Sequence, residues 1–217
     1  MLPALCVGRR AAVAGPRRRR HREGAARVRL STFVGSLVDQ ALGAHAIVNA
    51  SNPHVGLGSG VSGAIRAACG GAAFQTEVRR AWEDAFDEPL EAGDCLVTGA
   101  GTARAFRWVL HVPAVDYTAR DPETGGSSGP ARIQACAAAA LEEAGALAEA
   151  RGLVGRFVLG FPLLGAGHGG LGEVASAAAM MRAFVDAPVG VGEVRVAVLE
   201  ERLARLVEHA AERFGLR

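Results

Sequence analysis

Short apolar runs alternate with longer helix-like stretches along most of this 217-residue chain, and no other feature limits its fold so strongly. Val28-Arg29-Leu30-Ser31-Thr32-Phe33 alternates with the two-residue period of a strand. His45-Ala46-Ile47-Val48 is a brief apolar run, read as a buried strand that ends in the turn formers Asn49-Ala50-Ser51-Asn52-Pro53. Further strands are expected over residues 94–98, 108–112, 156–161 and 193–199, and helices over 61–68, 73–86, 131–151, 173–185 and 201–214. A short link or helix is expected over 35–43, and a Pro/Gly/Ser loop over 121–130. In the second helix Phe74, Val78, Trp82 and Phe86 recur every four residues, which makes one core-facing stripe. Strands separated by helices pair in parallel through crossovers, so the pattern predicts an α/β fold whose sheet is covered on both faces. Half of the residues are hydrophobic, enough for one full core, but aromatics are only 5%, so Ala, Val and Leu must fill most of it.

Charge is unevenly spread. The net charge is +2, yet the first 30 residues hold nine Arg against one acid, Glu23, which leaves −6 on the rest. A broad nucleic-acid face needs clustered positive charge, so only the basic N-terminus is a candidate for such a contact. Residues 1–26 are read as a basic extension and 27–217 as one domain. The basic residues are all Arg, which suggests a bacterial source. Cys6, Cys69, Cys95 and Cys136 form no C-x-x-C pair and are read as small buried hydrophobes of a reducing, cytoplasmic compartment. No apolar run approaches the roughly 20 residues of a membrane span. No metal site and no cofactor are expected, and the chain is read as a monomer.

Two glycine-rich stretches each follow an expected strand and precede an expected helix. The first is Gly56-Leu57-Gly58-Ser59-Gly60-Val61-Ser62-Gly63, the second Leu164-Gly165-Ala166-Gly167-His168-Gly169-Gly170-Leu171-Gly172. Glycine leaves backbone N–H groups uncovered, and a helix N-terminus adds orphan donors and the positive end of its dipole. Glycines also serve tight turns, and the first stretch alone does not separate the two uses. Two such loops beyond the carboxyl ends of parallel strands face one crevice, where a diphosphate can be gripped from both sides. No Gly-Lys-Ser/Thr follows, so neither is a P-loop; Gly58-x-Gly60-x-x-Gly63 matches the bare dinucleotide fingerprint.

In sequence, Ile47-Val48-Asn49-Ala50-Ser51-Asn52, Gly58-Ser59-Gly60-Val61-Ser62-Gly63-Ala64-Ile65 and Ala67-Ala68-Cys69-Gly70 resemble the macrodomain family. Gly93-Asp94-Cys95-Leu96-Val97-Thr98, Val109-Leu110-His111 and Leu164-Gly165-Ala166-Gly167 match its later landmarks in order, so the resemblance spans about residues 27–214. It implies a three-layer α/β/α fold with a mixed, largely parallel sheet that binds ADP-ribose or ADP-ribosylated macromolecules. Carried across, Gly58, Ser59, Gly60, Val61 and Ser62 would line the diphosphate as the first loop. Gly165, Ala166, Gly167, His168, Gly169 and Gly170 would form the second. Asn49 and Asn52 would order the first loop and approach the distal ribose, since an amide both donates and accepts. Asn49 also reads as a turn former that bonds its own backbone.

The chain departs from the family where acid–base chemistry would sit. The Asp that meets the adenine amino group in many members is Ser36 here, which leaves the backbone of Leu37 for that contact. The Asp and His of one hydrolytic branch are Ser62 and Arg66, and the His of another is Leu57. The middle glycine of the triplet is Ser59. Asn52, holding a water against the diphosphate, and His168 are the catalytic candidates. His111 reads as a satisfied core residue, and Tyr117 as a residue near the ligand. Three functions remain open on these residues, the first two being a hydrolase of ADP-ribosyl or O-acetyl-ADP-ribose linkages and a reader without turnover. A nucleotide- or RNA-phosphate-binding protein is the third.

Overall fold

The apolar runs line up as one six-stranded sheet with the order β1-β6-β5-β2-β4-β3. In this computed structural model residues 28–118, 120–122, 124–188 and 190–216 are described, so the basic segment 1–26 and Cys6 lie outside the described residues. The strands are β1 (Arg29–Val34), β2 (Ala46–Ala50), β3 (Leu96–Gly99), β4 (Trp108–Val112), β5 (Phe157–Pro162) and β6 (Val191–Val198). Every neighbouring pair is parallel except β3 with β4, which makes the sheet mixed and largely parallel.

Among the described residues five α-helices cover it. These are α1 (Gly60–Cys69), α2 (Ala72–Ala85), α3 (Pro130–Ala150), α4 (Glu173–Val185) and α5 (Glu201–Arg213). Strand residues alternate between faces. Ile47 and Val109 pack with Ile65, Phe74 and Val78 of α1 and α2. Val48 and Leu110 turn the other way, to Ile133 of α3, Phe184 of α4 and Val207 of α5. The result is three layers, with α1 and α2 on one face and α3, α4 and α5 on the other. Ala137, Ala140, Ala144 and Ala148 are wholly buried along α3, so alanine lets that helix lie close to its neighbours where aromatics are few. Phe161 and Phe184 meet at 5.1 Å between ring centroids inside this layer.

Some element ends differ from the sequence reading. The third strand begins at Leu96, not Asp94, because the Asp94 carboxylate accepts the Glu91 N–H at 2.8 Å and folds residues 91–94 into a turn. The 35–43 link contains one 3-10 turn, Gln40–Leu42, capped by Asp39, whose side chain accepts the Ala41 N–H. Phe86 ends α2 in an extended conformation rather than continuing it. Cys69, Cys95 and Cys136 are buried free thiols, and burial pushes Cys69 and Cys136 up to about 12, so they stay protonated. Among the described residues no helix is long and apolar enough to cross a membrane.

Candidate functional site

β2 and β5 are neighbours in the sheet, yet the helix after β2 packs on one face and the helix after β5 on the other. Chains that diverge this way leave a crevice beyond the strand ends. A cleft of about 270 Å³ lies there, lined by both glycine-rich loops. The structure brings Asn52, Gly58, Ser59, Gly60, Val61 and Ser62 together with Gly165, Gly167, His168 and Gly169 around it. Tyr117, 62% exposed, stands at the rim with Val115 and Pro162.

The first loop is held open from outside. Asn52 Oδ1 accepts from the N–H of His54 at 3.0 Å and of Gly56 at 3.2 Å, so this amide spans the turn. Gln75, one turn into α2, accepts the Leu57 N–H at 2.7 Å and donates to the Val55 carbonyl at 3.3 Å. These bonds keep the fully buried Val55 at a φ of 49°, a left-handed conformation costly for a β-branched residue. Leu57 is itself buried and pins the loop to the core. α1 then starts at Gly60, whose φ of 57° turns the chain into the helix. Ser59 provides no side-chain cap, and no acid lies in the first turn. The positive end of the α1 dipole and its leading N–H groups are therefore left for an anion in the cleft.

The second loop is built to be thin. A Cβ on Gly169 would stand 2.8 Å from the Gly165 carbonyl oxygen and 2.9 Å from the Ser128 Cβ, so nothing larger than glycine fits. The Ser176 hydroxyl donates to the Leu164 carbonyl, and the Ser128 hydroxyl to the Ala114 carbonyl at 2.6 Å, which fastens the loop's root and the segment behind it. By contrast, Cβ atoms on Gly58 and Gly167 would meet open space. The His168 ring approaches the first loop across the cleft: its Nδ1 lies 3.8 Å from where a Gly60 Cβ would stand.

Four of the expected residues are not part of the cleft lining. Asn49 is wholly buried and does not line the cleft; both ends of its amide are bonded inside the protein. The Leu37 side chain is buried in the core against α1 and α2, and Ala166 and Gly170 belong to the second loop without lining the cleft. His111 is fully buried as expected, and burial drives its pKa down to about 3. Gln75 and Ser128 were not legible, since each acts on a loop distant in sequence. Among the described residues His168 and Tyr117 are the only ionisable side chains lining the cleft, and no carboxylate does.

A larger hollow, about 900 Å³, runs beside α2 and the edge strand β3. Glu77 and Asp84 are mixed there with Arg80, Arg107 and Arg151, so it offers no concentrated charge to an anion. The two-loop cleft is the better site on physical grounds.

The comparisons agree with that geometry. The Macro domain family model matches residues 48–181. A glycine-to-valine variant of the Oceanobacillus iheyensis macrodomain, solved with ADP-ribose, superposes with a TM-score of 0.71 at 21% identity, covering 87% of this chain and 94% of that one. The same macrodomain solved with ADP gives 0.66 at 23% identity, covering 85% and 90%. The Trypanosoma brucei macrodomain in complex with ADP gives 0.61 at 20% identity, covering 84% and 69%. No curated protein sequence matches the chain.

Proposed function

The chain belongs to the macrodomain family, and from that premise we infer that its two-loop cleft binds ADP-ribose, free or attached to a macromolecule, as a reader without turnover. One observation carries this reading: the uncapped, acid-free start of α1 opens into a cleft walled by a second glycine loop. The α1 N–H groups and the bare backbone of residues 165–169 are the donors for the diphosphate. The solved Oceanobacillus and Trypanosoma neighbours that hold ADP-ribose and ADP support the choice of ligand. The described lining carries no carboxylate, and Ser62 and Leu57 stand where hydrolytic relatives would carry Asp or His, which supports binding over catalysis. General acid–base turnover needs a titratable group within reach of the reacting atoms, and among the described residues His168 is the one imidazole there.

Gly58→Glu and Gly167→Glu test the diphosphate assignment. Both positions have room for a side chain, so the fold should survive. Each new carboxylate stands in the phosphate path, and calorimetry should show at least a tenfold weaker ADP affinity, about 1.4 kcal/mol or more. Unchanged affinity in both variants would remove the diphosphate from this cleft. Gly60→Glu should also abolish binding, but its positive φ adds backbone strain to the effect of charge. Incubation with a mono-ADP-ribosylated protein addresses turnover. Capture without release is expected; release that His168→Ala abolishes would replace the reader by a hydrolase.

A further inference from the structure

Behind the cleft, four buried polar side chains form one continuous row across β3, β4, β2 and the first turn of α1. Thr98 Oγ1 stands 3.0 Å from His111 Nε2, and Asn49 Nδ2 stands 3.0 Å from His111 Nδ1. Ser62 Oγ donates to Asn49 Oδ1 at 2.8 Å and to the Ala50 carbonyl at 3.1 Å. Asn49 and His111 are fully enclosed, and Thr98 and Ser62 are exposed by only 6% and 7%. The row is built by the register: Asn49 and His111 are direct partners across β2 and β4, and Phe74 of α2 lies over the imidazole at 6.3 Å between centroids. Of the four, only Ser62 reaches the cleft.

The row has a direction. An amide NH2 group only donates, so His111 Nδ1 accepts and the ring proton sits on Nε2, which donates to Thr98. The amide oxygen of Asn49 is thereby turned to Ser62. The Ser62 hydroxyl has a single proton, and both of its bonds point inward to acceptors. What remains toward the cleft is a lone pair. A hydroxyl free to rotate serves a donor or an acceptor equally; one whose proton is committed repels a phosphate oxygen and accepts from a ligand hydroxyl.

We propose that His111 and Asn49 are positioning residues that fix Ser62 Oγ as an acceptor-only group in the cleft, selecting a ligand that brings a sugar hydroxyl there beyond its diphosphate. The inference rests on the reading of the cleft as an ADP-ribose site. It concerns what distinguishes ADP-ribose from ADP, which carries the diphosphate without the second ribose.

The test has two arms on the full chain. In the first, ADP and ADP-ribose are titrated calorimetrically into the wild type, His111→Phe and Ser62→Ala. The wild type should prefer ADP-ribose, and each variant should lose about tenfold of that preference. A preference unchanged in both variants overturns the inference. In the second, two-bond proton–nitrogen spectra of the labelled wild type report the His111 tautomer directly, so the inference stays exposed even if His111→Phe fails to fold. The neutral Nε2–H form is expected; an Nδ1–H form reverses the row and overturns the inference. If the wild type binds neither nucleotide, the fault lies with the site assignment instead, and the two failures are distinguishable.

Discussion

At the scale of single residues, a neutral imidazole locked in the sheet makes stability depend on acid. His111 has its pKa driven down to about 3 by burial, whereas an unfolded histidine titrates near 6.5. Between those values the unfolded chain binds a proton that the folded chain refuses. Its contribution is therefore complete above about pH 6.5 and is lost as pH falls toward 3, by about 1.4 kcal/mol per pH unit. Urea denaturation should show a midpoint that drops from pH 7 to pH 5, and His111→Phe should remove about one proton from that slope. An unaltered slope in the variant would deny the burial of a neutral ring. His45 acts in the same direction: burial, then Arg107 and Arg195, lower its pKa, and its Nδ1 accepts the Val158 N–H at 3.0 Å. Asn49 shows where residue-level reading stops. The family pattern marks it, but its position behind Ser62 follows from the pairing of β2 with β4, which no local pattern contains.

At the scale of elements, the two loops differ in what holds them. The first depends on the side chains of Asn52 and Gln75; the second is fastened at its root by Ser176 and needs the bare backbone of Gly169. Gly169→Ala should force a Cβ against the Gly165 carbonyl and cost about 1–3 kcal/mol, with the ADP affinity lowered in parallel. Gln75→Ala should cost about 1–2 kcal/mol by leaving the Leu57 N–H and Val55 carbonyl unpaired. Thermal denaturation alongside ADP titration would check both, and full retention of stability and affinity would contradict the loop anatomy. The strand and helix order was legible because periods of 2 and 3.6 are local properties of the chain. So were the glycine loops, since each sits between a strand and a helix. The start of β3 was not, because the Asp94 side chain competes for the backbone there. Nor was the role of Gln75, which reaches a loop 18 residues away.

At the scale of the whole molecule, the sheet order decides that the loops meet. β2 and β5 lie far apart in sequence but adjacent in space, and their helices leave to opposite faces, so the crevice between them is a consequence of topology. If the domain boundary lies near residue 27, a chain beginning there should fold and keep its ADP-ribose affinity. A loss on truncation would make the Arg-rich segment part of the site. The central claim, that this crevice is an ADP-ribose site, is tested most directly by calorimetric titration of ADP-ribose into the wild-type protein. Saturable binding at one site per chain, suppressed by Gly58→Glu, is the predicted result. No heat of binding at about 1 mM ligand, a threshold of only about 4 kcal/mol, would contradict the account.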